Sequence, residues 1–418
     1  MDAASLSLLL SEQGWALLTA LPPYDEQRVM ALSTRLQAEG LDPALVAAAL
    51  TQSRLRARAR TKFGDFADGM LFTPAGLEQA TRLPVAAHHA RRYLAAGLTR
   101  VADLTTGIGA DAMALAGVGI QVLAVDLDEV TAAVATVNLR HFPEAQVRHG
   151  DGLQLDLAAE GVDGVYADPA RRSAAGRRSW EPTDWTPPLD ALLALRDRVP
   201  AVGLKLGPGL PHRLVPDGAL AQWVSVDGDV VEVGLWFGPL APEGPGRSAL
   251  VLRDGRAHTL TGGTDDDERP PVGAVGTYLY EPDGAVIRAG LVGTVAQDLS
   301  GRLLDPTIAY VTADRLVPSD VATTYRVLDD LPFGVKRLRT YLRERGVGRL
   351  TVKKRGTAVT PEQLRGQLDL RGDAEATVVL TRVGGSQRVL LVEPVAGPTA
   401  ATTGRSDPAA SGGEPEEP

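Results

Sequence analysis

Short apolar runs alternate with alanine- and leucine-rich stretches through the central part of the chain. The runs TRVADL, QVLAVDL, VDGVYAD and AVGLKLG have the composition of strands, and helical stretches lie between several of them. Strands that alternate with helices in this way pair into a doubly wound, mostly parallel sheet. The alternation therefore predicts an α/β, Rossmann-like domain over residues 61–260.

The rest of the 418-residue chain predicts further regions, because this length exceeds one ordinary core. Residues 1–60 carry apolar residues at helical spacing and predict an N-terminal helical region. Residues 261–330 predict a linker and an α+β connecting segment, and residues 331–396 predict a C-terminal α+β domain. Residues 397–418 contain almost no apolar side chains, so we expect a disordered tail there.

The composition excludes several kinds of chemistry. The chain has no cysteine, which rules out disulfides, cysteine-based zinc sites, iron–sulfur clusters and a cysteine nucleophile. It has no apolar run of about 18 residues, and its N-terminus lacks the basic start of a secretory signal. We therefore expect a cytoplasmic protein that needs no metal. The net charge of −9 disfavours non-specific binding to polyanions.

The sequence VADLTTGIGADAMALA, residues 101–116, places a glycine turn between a strand and a helix. Thr105, Gly107 and Gly109 lie in this turn, and such a turn holds a nucleotide-like ligand at the helix N-terminus. The spacing Gly107-x-Gly109-x-x-Ala112 also fits a dinucleotide-binding motif. A short glycine pattern alone does not choose between these ligands.

Acidic residues follow four consecutive strands of the predicted sheet and distinguish the ligands. Asp103, Asp126 and Asp168 end the first, second and fourth strands, and Asp151 follows the third. Each acid alone could instead cap a helix or form a turn. Because the carboxyl ends of parallel strands share one edge, the ordered set favours S-adenosylmethionine. Its amino-acid group, ribose, adenine and reaction centre would each meet one acid.

At these residues the chain resembles class I S-adenosylmethionine-dependent methyltransferases, over about residues 61–260. Asp103, Gly107 and Gly109 match the first motif of that family, although Thr105 replaces its usual first glycine. The resemblance implies the Rossmann-like methyltransferase fold. It also implies that these four residues bind the cofactor S-adenosylmethionine.

Two further stretches carry the same resemblance. Asp126 matches the acid that binds the ribose, and Asp151 matches the acid on the adenine side. Upstream, FTPAGLEQAT at residues 72–81 resembles the segment that precedes the first motif in trimethylguanosine synthase-type enzymes. Because that segment helps to hold the methionine end of the cofactor, the resemblance implies that Phe72 and Thr73 bind it as well.

The sequence DPAR, Asp168 to Arg171, stands where nitrogen-directed nucleic-acid methyltransferases carry Asp/Asn-Pro-Pro-aromatic. The Asp168 carboxylate and the Pro169 carbonyl are candidates to accept the two N–H groups of an exocyclic amine. Ala170 replaces the second proline, and Arg171 replaces the aromatic residue. An arginine plane can stack on a base or hold a phosphate. Amine methylation is thus a hypothesis, and oxygen or ring-nitrogen targets stay open.

A basic run near the C-terminus predicts contacts with nucleic-acid phosphates. Residues 336–355 hold nine basic residues against Glu344 alone, a net charge of +8 in an acidic protein. Basic segments at 54–62 and 171–178 add to this pattern, although a solvated surface is an alternative. The candidates for RNA binding are Arg171, Arg172, Lys336, Arg339, Arg343, Arg349, Lys353 and Lys354.

The C-terminal region, about residues 335–396, resembles the THUMP-like domain found in some bacterial methyltransferases. True THUMP domains bind RNA, so the resemblance implies an RNA partner, such as tRNA or rRNA. The sequence therefore predicts a methyltransferase that acts on a base nitrogen of guanine or adenine in structured RNA. Its alternatives are a small-molecule or protein methyltransferase and a catalytically degenerate RNA-binding protein. Asp103 and Asp168 disfavour a nicotinamide dehydrogenase.

Overall fold

The structure is a computed structural model that describes residues 1–170, 185–262 and 270–395. It divides into two compact units. The first holds Met1–Asp266 and Gly284–Leu291, and the second holds Asp267–Asp283 and Val292–Pro418. The predicted tail at 397–418 lies outside the described residues. No helix in the described part of the chain is long and apolar enough to span a membrane.

Four helices open the first unit. They are α1 (Ala3–Leu10), α2 (Glu12–Ala20), α3 (Val29–Ala38) and α4 (Pro43–Phe63). Helix α4 begins at Pro43, because the Asp42 side chain accepts the Ala44 N–H and the proline suits the first turn of a helix. Its buried face includes Leu45 and Leu55. This face packs against α1, α2 and α3.

Two short helices then lead into a nine-stranded sheet. The elements are α5 (Pro74–Gln79), α6 (Leu83–Ala95), β1 (Arg100–Asp103), α7 (Ala110–Gly117), β2 (Gln121–Asp126), α8 (Glu129–Leu139), β3 (Ala145–His149), β4 (Gly164–Ala167), α9 (Leu189–Leu193), β5 (Ala201–Leu206), β6 (Leu220–Val226), β7 (Asp229–Phe237), β8 (Gly246–Arg253) and β9 (Arg256–Gly262). A further helix of this unit, α10 (Gly284–Ala289), packs against β6 and β8.

The strand order of this sheet is β3-β2-β1-β4-β5-β7-β6-β8-β9. Strands β1 to β5 are parallel, and β7 lies antiparallel between β5 and β6. The prediction of a Rossmann-like, mostly parallel sheet is therefore confirmed. The chain reverses its direction of progress between β1 and β4, and in such sheets ligands bind beyond the carboxyl ends at that point.

The described part of the second unit contains a seven-stranded sheet and three helices. Its elements are β10 (Tyr278–Pro282), α11 (Val292–Asp298), β11 (Arg302–Asp305), β12 (Ile308–Ala313), β13 (Ala322–Pro332), α12 (Val335–Glu344), β14 (Val347–Lys354), α13 (Pro361–Leu368), β15 (Ala374–Val383) and β16 (Ser386–Pro394). The strand order is β11-β12-β10-β13-β16-β15-β14. Helices α12 and α13 bury Leu338, Leu342, Leu364 and Leu368 with residues of β14, β15 and β16.

The predicted boundary at residue 331 lies within strand β13. This strand pairs with β10 on one side and with β16 on the other. The predicted connecting segment and the predicted C-terminal domain therefore contribute strands to one continuous sheet. The sequence did not reveal this, because the partners of β13 are separated from it by tens of residues.

Candidate active site

A cavity of about 650 Å³ lies at the carboxyl ends of β1, β2, β4 and β5. It collects seven of the residues that the sequence singles out. They are Thr73, Asp103, Thr105, Gly107, Asp126, Asp151 and Asp168. These residues come from α5, from four separate strand ends and from the glycine turn. The parallel topology brings them together, since each loop leaves the sheet on the same edge.

The glycine turn has the backbone conformation that its sequence predicts. Gly107 and Gly109 adopt φ angles of 55° and 90°, which favour glycine. Gly109 is the N-cap of α7, so the turn aims the start of that helix at the cavity. A Cβ added at Gly107 would meet open space, so the constraint at this position comes from the backbone angle alone.

Asp126 connects the end of β2 with the glycine turn. Its Oδ2 accepts the N–H of Gly107 at 2.9 Å, and its Oδ1 accepts the N–H of Asp128 at 3.0 Å. Burial raises the pKa of Asp126, and the two backbone donors oppose that rise. Each carboxylate oxygen retains a second acceptor position. Asp126 is therefore oriented in advance for a ligand that carries hydroxyl groups.

Asp103 is the most deeply buried acid of the cavity. The residue is 1% exposed, and its Oδ1 accepts the Thr105 N–H at 3.3 Å. Burial raises the pKa of Asp103 well above its ordinary value, and the neighbouring Asp111 carboxylate adds to this rise. A cationic ligand group would favour the ionised carboxylate here, because an opposite charge offsets the cost of burial.

The two threonines of the turn have different surroundings. Thr105 Oγ1 accepts the backbone N–H of Asp168 at 2.6 Å, which fastens the turn after β1 to the end of β4. A glycine at position 105 could not make this bond. Thr106 Oγ1 is buried, lines the cavity and makes no hydrogen bond of ordinary distance and angle to any described residue, although it lies near enough to Asp103 to favour the ionised carboxylate and oppose the rise of its pKa. A buried hydroxyl of this kind indicates a missing polar ligand.

A lysine that the sequence analysis missed faces Asp168. Lys205 lies on β5, is 9% exposed, and forms an ion pair with Oδ2 of Asp168. Its ammonium also donates to the carbonyl of Gln79 at 3.3 Å. Burial disfavours the charged form of Lys205, but nearby carboxylates, Asp168 first, outweigh burial and raise its pKa. Burial raises the pKa of Asp168, and the Lys205 ammonium opposes that rise.

A buried network of charged residues lies beside the cavity. His89 Nδ1 lies 2.8 Å from Asp111 Oδ1, and His89 Nε2 lies 2.7 Å from Glu232 Oε1. Thr81 donates to Asp111 Oδ2 at 2.6 Å. Burial disfavours the imidazolium, yet the two carboxylates raise the pKa of His89 to about 9. The network therefore holds a buried cation between two acids, and one of them, Asp111, lines the cavity.

Comparisons with known proteins identify the family. An S-adenosylmethionine-dependent methyltransferase of Mycobacterium tuberculosis, itself uncharacterized, is 37% identical over 340 residues. The match covers 79% of this chain and 91% of the relative, and it recurs in two strains. The chain belongs to the S-adenosylmethionine-dependent methyltransferases. Its cofactor is therefore S-adenosylmethionine, as the sequence predicts.

A solved structure and two family models add to this assignment. A candidate methyltransferase from Porphyromonas gingivalis W83 matches with a TM-score of 0.71 at 22% identity. The match covers 89% of this methyltransferase and 99% of that chain, which shows that they share a fold. The family model described as THUMP domain-like matches residues 322–394. A domain of unknown function (DUF8688) matches residues 2–59.

The cavity of this methyltransferase fits S-adenosylmethionine in volume and in chemistry. About 650 Å³ lies within the usual range for a small-molecule site. The cofactor carries a cationic amino group, and the cavity places the buried carboxylate of Asp103 on its wall. The unpartnered Thr106 hydroxyl and the free acceptor positions of Asp126 match further polar groups of the ligand.

Several predicted site residues lie elsewhere. Phe72 does not line the cavity, because its ring packs in the core against Phe63 and the residue is fully buried. Its backbone N–H and carbonyl bond to the Gln52 side chain at 3.0 and 2.7 Å. The cofactor contact expected of Phe72 is therefore wrong, while Thr73 next to it does line the cavity.

Other predicted residues lie beside the cavity or cannot be placed. Pro169 is buried, and of its neighbours Asp168 and Ala170 reach the cavity wall. Gly109 acts through the helix that it caps and does not itself line the wall. Arg171 and Arg172 lie outside the described residues.

The basic candidates of the second unit occupy α12 and β14, and most of them have protein partners. Arg339 and Arg343 donate to the carbonyls of Gln367 and Asp369 at the end of α13. Cations at a helix C-terminus satisfy its last carbonyls. The role of these two arginines in the fold is therefore clear without a ligand.

The candidates on β14 are paired in part. Arg349 forms an ion pair with Glu375 at 2.7 Å, and Lys353 forms one with Glu281 at 2.6 Å. Among the described residues, Lys336 and Lys354 form no ion pair. Fewer of these basic side chains are thus free to bind a phosphate than the sequence suggests. Acidic residues from outside residues 336–355 pair with them.

Proposed function

We propose that this methyltransferase modifies a base nitrogen, the exocyclic amine of guanine or adenine, in structured RNA. The observation that carries the proposal is the position of Asp168. Its side chain lines the cavity, stays about 32% exposed and pairs with Lys205, while its backbone N–H donates to Thr105 Oγ1. A carboxylate in this position suits the acceptance of an N–H from a target that enters from solvent.

We assign the cofactor contacts to the strand ends in chain order. Asp103 would hold the cationic amino group, with the free hydroxyl of Thr106 as a second polar contact. Asp126 would bind the ribose hydroxyls through its remaining acceptor positions, and Asp151 would accept from the adenine amine. Asp151 is exposed, and its Oδ1 accepts the Leu153 N–H at 3.0 Å, which fixes its direction.

The bound cofactor supplies an electrophilic methyl group on a sulfonium, so the chain mainly orients the acceptor. An exocyclic amine is a weak nucleophile, because its lone pair is delocalised into the base. Lys205 occupies Oδ2 of Asp168, which leaves Oδ1 as an acceptor for one N–H of the amine. The Pro169 carbonyl is the candidate for the other N–H. These two acceptors would direct the lone pair of the amine toward the methyl group. Asp168 would then take up the proton that the methylated amine releases.

Lys205 adjusts the protonation of Asp168 in this scheme. Burial raises the pKa of Asp168, and a protonated carboxyl would lose its acceptor character. The ammonium of Lys205 counteracts that shift through the ion pair. Lys205 is therefore a positioning residue, which keeps Asp168 ionised and holds it in one orientation.

Two observations support RNA as the substrate. Residues 322–394 match the family model described as THUMP domain-like, and the true THUMP domains that it resembles bind RNA. Lys336 and Lys354 on α12 and β14 are exposed and form no ion pair with any described residue. Basic side chains of this kind bind nucleic-acid phosphates, which contribute affinity without reading sequence.

The test is mass-spectrometric analysis of RNA nucleosides from a strain that lacks this protein. We expect one methylated guanosine or adenosine to disappear and to return with the wild-type protein. Complementation with Asp168→Asn should not restore it, whereas Asp156→Asn, an exposed acid outside the cavity, should. An unchanged nucleoside profile would contradict the proposal and favour a small-molecule or protein substrate.

A further inference from the structure

A second cavity of the first unit lies among the N-terminal helices and has a basic, aromatic wall. It measures about 770 Å³ and lies between α2, the segment after it, α4 and residues 68–69. We call it the arginine groove, after Arg56, Arg60 and Arg140, which line it together with Trp15 and Tyr24. Helix α2 and α4 up to residue 59 fall within the match to the domain of unknown function.

Two guanidinium groups of the arginine groove converge on one indole ring. The guanidinium carbon of Arg56 lies 5.8 Å from the centroid of the Trp15 ring, and that of Arg140 lies 5.1 Å from it. Burial lowers the pKa of Arg56 to about 10, a shift that the nearby Asp68 carboxylate opposes and the charge of Arg140 reinforces. The groove thus holds two like charges close together around a shared aromatic ring.

These two arginines lack a carboxylate partner within the described part of the chain. Arg56 Nε donates to the Met70 carbonyl at 2.8 Å, and Arg140 Nη1 donates to the carbonyls of Gly69 and Val137 at 3.0 and 2.7 Å. Neutral carbonyls orient a guanidinium but do not cancel its charge. The nearby Asp68 forms an ion pair with Arg60 instead.

We propose that the arginine groove binds a phosphate of the RNA strand whose target base enters the active-site cavity. This inference rests on the proposed function. Two unpaired guanidinium groups that face one concave space match the charge and the geometry of a phosphate. The partly exposed ring of Tyr24 offers an adjacent nucleotide an apolar surface on which to stack.

The arginine groove and the active-site cavity are joined by one short segment of the same unit. Gly69 lines the groove, and Thr73 lines the cavity. Four residues span at most about 14 Å, so a single RNA strand can reach both sites. Gln52 on α4 bonds to both backbone groups of Phe72 between them, and this fixes the segment against the helix that carries Arg56.

The test compares Arg140→Gln with Arg58→Gln in the full-length protein. Both changes remove one positive charge. Arg58 belongs to the basic segment 54–62, but it is exposed on α4 and does not line the groove, so we assign it to the solvated surface of that segment. RNA affinity is measured by fluorescence anisotropy over a range of salt concentrations. We expect Arg140→Gln to weaken binding about three- to tenfold and to reduce the salt slope by about 0.7, the value for one phosphate of a single strand.

The controls separate this inference from the proposed function. Arg58→Gln should change the affinity less than about twofold and leave the slope unchanged, and Arg140→Lys should recover most of the binding. Equal effects of Arg140→Gln and Arg58→Gln, with RNA bound by the wild-type protein, would overturn the groove alone. Failure of the wild-type protein to bind RNA at all would overturn the groove and the proposed function together.

The same set of variants distinguishes a free anion from a phosphate of RNA as the ligand of the groove. If inorganic phosphate protects the wild-type protein against thermal unfolding but RNA affinity is the same in Arg140→Gln, the groove holds a small anion and the proposal is overturned. Equal binding of S-adenosylhomocysteine by all variants is expected, since Arg140 does not line the cofactor cavity. This measurement also shows that Arg140→Gln folds.

Discussion

Replacement of Thr105 by valine should destabilise the protein, whereas the same replacement at Thr106 should not. Thr105 Oγ1 accepts the Asp168 N–H at 2.6 Å, and valine keeps the branched shape but removes that acceptor. Loss of a hydrogen bond that leaves a donor unsatisfied costs about 1–2 kcal/mol. In a unit of this size, such a loss lowers Tm by about 2–4 °C.

The adjacent threonine provides a matched control. Thr106 Oγ1 is buried without a partner in the described part of the chain, so valine removes an unsatisfied hydroxyl there. We expect the stability of cofactor-free Thr106→Val to equal or exceed that of the wild-type protein. Binding of S-adenosylhomocysteine should weaken in Thr106→Val, because the hydroxyl lines the cavity.

Thermal unfolding followed by circular dichroism, with and without S-adenosylhomocysteine, measures both effects. Thr105→Val should show the lower Tm in the absence of ligand. Thr106→Val should gain less stability from the ligand than the wild-type protein does. If Thr105→Val is as stable as the wild-type protein, or if both variants lose the same stability, the proposed tie between the turn and β4 is refuted.

Two further predictions concern buried charges. Lys205→Met removes the ammonium that lowers the pKa of Asp168, so the acid limb of the pH–rate profile should move to higher pH. An unmoved acid limb would show that Asp168 titrates independently of Lys205. The pKa of His89 is raised to about 9, so its contribution to stability is complete below about pH 6.5 and is lost as the pH rises to about 9. His89→Asn should flatten that alkaline loss in unfolding experiments, and a wild-type stability that is constant from pH 6.5 to 9 would contradict the buried cation.

The sequence predicts the first unit well where the signal is local and repeated. Alternating strands and helices are visible in single runs of residues, and parallel pairing then places Asp103, Asp126, Asp151 and Asp168 on one edge. No knowledge of side-chain packing is needed for that step. The glycine angles of the turn follow for the same reason, since they depend only on neighbouring residues.

Pairs of distant residues account for what the sequence does not predict. His89 and Glu232 are 143 residues apart, so neither residue indicates the other. Lys205 could have been noticed as a charge within an apolar strand, because a buried lysine needs an acidic partner. Its partner, Asp168, lies 37 residues away.

The errors have related causes. Phe72 directly precedes a cavity residue, but the sequence does not say that its ring points into the core. The charge of the run at 336–355 omits Glu281, Asp369 and Glu375, which the fold brings to it. A charge count over one stretch of sequence includes only the residues of that stretch. The charge that is free to bind a ligand also depends on acidic partners from other helices and strands.

Calorimetry and a methyl-transfer assay, applied to the same two variants, test most directly which acid binds the cofactor and which acid acts on the RNA. Asp126→Ala should lose binding of S-adenosylhomocysteine by at least about tenfold, because it removes the two cavity-lining oxygens that we assign to the ribose hydroxyls. Asp168→Asn should bind the ligand as the wild-type protein does and yet fail to transfer a methyl group to RNA. Wild-type transfer by Asp168→Asn, or undiminished ligand binding by Asp126→Ala, would contradict the assignment of these strand ends.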